Sequence, residues 1–217
     1  AKEMAAEIPS MIFSPSIISN NKQLIISPIQ HKFINEERYY DGNSLEGIDS
    51  VKLSSILRMN ATFPYIMPIV TTPEPHKLNI MDAGLIDNFG IKVMSEYLME
   101  NKKWINENTS GVILIKIVDK EFVQNSTNHS PITKLTLPIK FFYANFDLQN
   151  KNNNRLLQQL ESEIDSFTQV EFNLGKSRDE ITLSWHLTKK EKQDIIDAIH
   201  LSKNQNSIKM LKSMLAE

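Results

Sequence analysis

The sequence predicts an α/β fold of three layers, with a mainly parallel central sheet and helices on both of its faces. Three observations carry that expectation. Val112–Val118 (VILIKIV) is a β-branched, nearly continuous apolar run, the pattern of a strand buried on both faces in a parallel sheet. Leu78–Met81 is a second, shorter apolar run. Between the two lies a segment with Ile91, Met94, Tyr97 and Leu98 at helical spacing. Strand, loop, helix and strand over 78–118 make a βαβ unit. Its crossover is right-handed by rule, so 112–118 is expected as an interior strand parallel to 78–81.

Before this unit, Met11–Ser19 and Gln23–Pro28 are two apolar runs flanking Asn20-Asn21-Lys22, which reads as two strands joined by a tight turn. Pro15 and Pro28 belong at edge or end positions, since proline has no N–H for a ladder. Glu36–Gly47 is polar, with Asp41-Gly42-Asn43 as a turn signal. Leu53, Ile56 and Leu57 are at helical spacing, with Ser50 as N-cap. Pro64 and Pro68 then end regular structure. Asp82–Gly90 has two glycines and no periodicity, so it reads as a loop before a helix over 89–100.

After Val118, residues 119–150 read as irregular, and Asn150–Asn154 as a solvated loop. Leu156, Leu160, Ile164 and Phe167 mark a helix. Val170, Phe172 and Leu174 alternate, as do Ile181, Leu183 and Trp185, on either side of Gly175-Lys176. Thr188 and Glu191 have the spacing of a capping box, in which each side chain satisfies the other's free backbone N–H. The helix it opens carries Ile195, Ile196 and Ile199, a stripe that is more often core than membrane-facing.

Composition narrows the function classes. With 41% apolar and 23% charged residues, the 217-residue chain can bury a substantial core. A net charge of −2, with no basic run interleaved by aromatics, argues against a nucleic-acid partner. The absence of cysteine excludes disulfides, a thiol nucleophile and thiolate metal sites. No apolar run approaches the roughly 20 residues that span a bilayer. Ala1–Ser10 lacks the regions of a signal peptide. The chain does not begin with methionine, which fits a piece of a longer protein. His31, His76, His129, His186 and His200 are scattered, without metal-ligand spacing.

The informative stretch is 59–91. MNATFPYIMPIV is followed by IMDAGLIDNFGI, which places Asp82-Ala83-Gly84 directly after the apolar run and Asp87-Asn88-Phe89-Gly90 beyond it. From spacing alone, Asp82 reads equally as a catalytic carboxylate at a strand's carboxyl end, where open α/β sheets place ligand sites, or as a turn or N-cap aspartate. Asp87 and Asn88 suit capping of the following helix.

This stretch resembles the patatin-like phospholipase family. There a Ser/Ala-rich helix end and a Pro-containing segment precede a strand that delivers Asp-Gly-Gly or Asp-Gly-Ala, then Asn and an apolar-Pro pair. Ala83 replaces the usual glycine, Gly90 replaces the usual proline, and Met59-Asn60-Ala61-Thr62 replaces Ser-Ala-Ala wording. The resemblance implies that Asp82 is the base of a Ser–Asp dyad, with no cofactor required. A serine hydroxyl is a weak nucleophile until a base takes its proton, and partial burial can raise a carboxylate toward the working pH. On this reading Gly84 lets the loop turn tightly.

The six glycines form no Gly-x-Ser-x-Gly and no adjacent pair for an oxyanion loop. Ser184, unflanked by glycine, is not a substitute nucleophile. The resemblance therefore implies the C-terminal portion of a serine lipid acyl hydrolase. Residues 1–150 would belong to the catalytic domain and 151–217 to an α/β continuation packed on it. The partners it implies are a lipid ester or a membrane surface and the N-terminal part of the same protein, with no nucleic acid. The alternative is a non-catalytic lipid-binding or interaction module on a patatin-like scaffold. Arg38 and Arg58 are candidate headgroup contacts, although solvated surface arginines are far commoner. Phe141, Phe142, Tyr143 and Phe146 are candidates to admit acyl chains or, as commonly, to build core.

Overall fold

The computed structural model describes residues 5, 7–28, 35–62, 67–118, 149, 151–175 and 186–216. The protein is mixed α/β, with seven described strands and helices between them. It divides into two compact units, one within 1–104 and 130–163, the other within 105–129 and 164–217.

The first unit is built on a five-stranded sheet. Its strands are β1 (Ser16–Ile17), β2 (Lys22–Ile25), β3 (Tyr39–Asp41), β4 (Val70–Thr71) and β5 (Asn79–Met81), in the order β3-β2-β1-β5-β4. The two expected N-terminal strands form an antiparallel pair, extended by a bridge between Phe13 and Ile26. Asn21 takes φ 56° in their turn, a conformation that asparagine tolerates better than most side chains. Pro15 immediately precedes β1 and is fully buried, an end position that costs no ladder N–H.

Side chains alternate across β2, so both faces of the sheet are covered. Leu24 and Ile26 cluster with Ile17, Ile80 and Met59, the last from α1 (Leu53–Asn60). Ile25 and Tyr39 cluster with Val93, from α3 (Ile91–Asn108), with Tyr97 packed alongside. α4 (151–163) completes the described part of this unit, with Leu157 and Leu160 buried.

Several expectations are corrected here. The sheet is not mainly parallel: β1–β2, β1–β5 and β4–β5 are antiparallel, and only β2–β3 is parallel. Asn79–Met81 does not pair with Val112–Val118, because β1 and β4 occupy both of its edges. β3 lies in the polar stretch 36–47, where only a turn is expected. β4 follows directly after Pro68. α1 begins at Leu53 with Lys52 at its N-cap, while Ser50 ends a short 3₁₀ turn. The run 151–154 is helix, with Asn153 buried.

In the second unit β6 (Val112–Val118) pairs in parallel with β7 (Phe167–Asn173) across seven residues. β6 is not buried on both faces: Ile113, Ile115 and Ile117 are 37%, 50% and 76% exposed. Phe167 begins β7 instead of ending a helix. Gly111 has φ 131°, and a Cβ there would lie 2.4 Å from the Ser166 carbonyl oxygen, so the entry to β6 requires glycine.

α5 (Lys189–Asp197) opens with the expected capping box, Thr188 and Glu191 bonding each other's backbone N–H. The isoleucine stripe is not buried core: Ile195 is half-buried, Ile196 is 60% exposed, and Ile199, in the 3₁₀ turn after α5, is 41% exposed. α6 (Ser202–Leu215) follows, with Ile208, Leu211 and Leu215 at helical spacing. Buried Asn204 ties it to β7, accepting from Asn173 N–H at 2.9 Å and donating to Asn173 O at 2.7 Å. Phe141, Phe142, Tyr143, Phe146, His31, His129, Ile181, Leu183, Ser184 and Trp185 lie outside the described residues.

Candidate active site around Asp82

Asp82 follows β5 at its carboxyl end, as its position after an apolar strand leads one to expect. Its backbone is held on both sides. Asp82 N–H donates to Thr62 O at 2.9 Å, and Ala83 N–H donates to Asn60 O at 3.1 Å. Ser16 Oγ donates to Asp82 O at 2.9 Å. The segments 59–62 and 82–84 are therefore laced together through main-chain bonds at the end of α1. Asn60 is fixed in turn by accepting Ser14 N–H at 3.1 Å through Oδ1.

The Asp82 carboxylate is half-buried. Its Oδ1 accepts Gly84 N–H at 2.7 Å, and Oδ2 has no protein hydrogen-bond partner among the described residues. Burial raises its pKa above the ordinary 3.8, and the Gly84 N–H partly offsets this by favouring the charged form. One oxygen is thus anchored and the other is open to take a proton. Ser16, the nearest bonded hydroxyl, reaches the backbone carbonyl and not the carboxylate.

Gly84 is needed for a reason other than the expected tight turn. It opens a short helical turn, α2 (Gly84–Asp87). A Cβ on it would meet Asp82 Oδ1 at 2.8 Å and Asn88 Oδ1 at 2.9 Å. Ala83, by contrast, sits at φ −60° and ψ −33°, which any residue adopts. Gly90 has φ 68° with open space around it. Proline is locked near φ −65° and cannot take that conformation.

Asp87 is the more deeply buried carboxylate, and it caps a helix. It is 3% exposed, and Oδ2 accepts Val93 N–H at 3.1 Å in the first turn of α3. Burial raises its pKa, opposed by the N–H groups of Val93, Lys92 and Ile91 and by the Lys92 charge. The Asn88 backbone is held elsewhere, its N–H donating to Gln149 Oε1 at 3.1 Å. Gln149 Nε2 also donates to Leu85 O at 3.0 Å. A single distant glutamine thus clamps the loop after Asp82. Its only sequence signal is amide chemistry, shared with many surface residues.

The raised Asp87 pKa sets a stability prediction. The folded state holds this proton more tightly than the unfolded chain, so stability declines as pH rises from 3.8 through the raised value. Asp87→Asn keeps an acceptor for Val93 N–H and removes that decline. Asp87→Ala leaves the N–H unpaired in a buried place and is expected to cost about 1–3 kcal/mol. Urea unfolding of both variants at several pH values measures the difference; equal loss in both at every pH would refute the capping role.

Arg58 is exposed on α1, and Arg38 pairs with Glu96 at 3.0 Å. His76 meets the Tyr40 hydroxyl at 3.2 Å. Among the described residues no group of three or more His, Cys, Asp or Glu side chains is arranged to hold a metal ion. No family model matches the chain, and neither a curated protein nor a solved structure matches it.

Proposed function

We propose that the chain is the C-terminal portion of a patatin-like serine lipid acyl hydrolase in which Asp82 is the general base of a Ser–Asp dyad. The observation that carries this reading is the state of the Asp82 carboxylate: at a strand's carboxyl end, half-buried, one oxygen anchored and the other open. In the intact parent, an upstream serine attacks the ester carbonyl while its proton passes to Asp82 Oδ2. Asp82 returns that proton to the leaving alkoxide, and an acyl-enzyme remains. Asp82 then takes a proton from the attacking water and returns it to the serine oxygen as the acyl–serine bond breaks, which releases the acid and restores both groups. Backbone N–H groups of an upstream glycine loop hold the oxyanion.

The upstream part of the polypeptide and a lipid ester or membrane surface are the partners. The departures at positions 83 and 90 favour the non-catalytic alternative to the extent that the family's loop is built differently there. The backbone at 83 asks for no glycine, and the backbone at 90 is incompatible with proline.

The 217-residue chain by itself is expected to hydrolyse short-chain nitrophenyl esters no faster than a blank. The same assay on a longer polypeptide carrying Gly-x-Ser-x-Gly upstream of Ala1 is expected to show turnover. Robust turnover by the pure chain alone would remove the split-site reading. A parent lacking that upstream motif would favour the non-catalytic lipid-binding module.

A further inference from the structure

A cavity of about 650 Å³ lies in the first unit, apart from the residues that hold Asp82. Five segments converge on it: the β1–β2 turn, the stretch before β3, α2 through Ile86, the start of α3, and α4. Its charged lining consists of Arg38, Lys92 and Arg155 against Glu37 and Glu96. Arg38 and Glu96 form an ion pair at 3.0 Å. Three cations thus face two carboxylates in the lining, an excess of one positive charge, with Lys92 and Arg155 outside that ion pair. Neither of these two cations has an ion-pair partner among the described residues.

Lys92 is costly where it stands. It occupies the first turn of α3, the positive end of the helix dipole, where a cation is disfavoured. It is half-buried, with Nζ 5.3 Å from the centroid of the Tyr39 ring, and burial pulls its pKa down. Asp87 and Glu96 offset part of that cost through their charge. An anion entering the cavity would relieve the remainder. The rest of the lining is apolar Ile86 and Leu156 and neutral amides, Asn152 and Gln159 on α4 among them, which suit hydroxyl and phosphoryl oxygens.

We infer that this cavity binds a phosphate-bearing ligand, with Lys92 and Arg155 taking the phosphate and the amides of Asn152 and Gln159 bonding the hydroxylated remainder. An arginine guanidinium offers paired N–H donors to phosphate, and a lysine adds a compact charge. The same chemistry is presented by a free phosphate ester and by a phospholipid headgroup. The site does not depend on Asp82 and stands whether or not the chain serves a hydrolase.

The test titrates the full chain with glycerol 3-phosphate, and separately with phosphatidylcholine vesicles with and without phosphatidate. Saturable binding that weakens with added salt is expected. Lys92→Gln and Arg155→Gln should each weaken it about tenfold or more, the loss typical of one charged hydrogen bond. Lys190→Gln on α5 and Asp82→Asn should leave binding unchanged, which separates this site from the dyad. Variant-sensitive binding of glycerol 3-phosphate identifies a soluble ester, and variant-sensitive binding of phosphatidate vesicles alone identifies a headgroup. No saturable binding to either, or binding that both cavity variants leave intact, overturns the proposal.

Discussion

Asp82→Asn in the intact parent is expected to lower kcat by about 10²–10⁴-fold, the usual contribution of a positioned general base. Asparagine has nearly the same shape and can still accept the Gly84 N–H that anchors Oδ1. The fold should therefore persist while the proton acceptor is lost. KM should move less, since the carboxylate does not hold the lipid tail. The pH profile adds a second readout. Because burial raises the Asp82 pKa above 3.8, the acid limb of kcat/KM should lie above the ordinary carboxylate range. Residual activity of Asp82→Asn should lack that limb. Asp87→Asn is the control, since it keeps the cap on α3. If Asp82→Asn retained more than about a tenth of wild-type kcat, the base assignment would be wrong. Equal losses in the two variants would return both residues to loop structure.

Gly84→Ala in the intact parent is expected to cost about 10²-fold in kcat, the scale of loss for a catalytic group displaced by about 1 Å. The added Cβ would sit 2.8 Å from Asp82 Oδ1 and 2.9 Å from Asn88 Oδ1. Both obstacles are side-chain oxygens, so the chain relieves the clash by swinging them and not by unfolding. The Asp82 carboxylate then leaves the Gly84 N–H, and its open oxygen no longer points where the serine needs it. Gly90→Ala makes the comparison. It meets no atom, but at φ 68° it adds backbone strain of roughly 1–2 kcal/mol. It should lower the melting temperature and spare kcat. Thermal melts alongside kinetics distinguish the two outcomes. Wild-type kcat in Gly84→Ala would show that the loop does not set the carboxylate's position.

Local chemistry made part of this structure legible in advance. The first antiparallel pair, the strand before Asp82, α3 and the Thr188–Glu191 capping box all rest on contacts within a few residues. Asp87 as a helix cap belongs with them, because its acceptor and the N–H it serves are six residues apart. Gln149 does not: it reaches Asn88 across 61 residues, and its residue type announces nothing. The reason for Gly84 also escaped the sequence, since the obstacle is a side-chain oxygen placed by the fold and not a backbone angle.

What the sequence by itself determined about this protein is its α/β alternation, its motif at 82–84, and an aspartate delivered by an apolar strand. Only the tertiary structure decided strand direction and partnership. VILIKIV has the apolar continuity of a doubly covered strand, yet periodicity describes a strand's faces and says nothing of its edges. Whether Asn79–Met81 could accept Val112–Val118 depended on which strands reached its edges, and Val70–Thr71 and Ser16–Ile17 occupy them. Val70–Thr71 carries little pattern of its own, and the pattern of Ser16–Ile17 does not say which second strand it meets. Their place comes from hydrogen bonds and burial between residues as many as 65 positions apart, a scale at which local propensity carries no information.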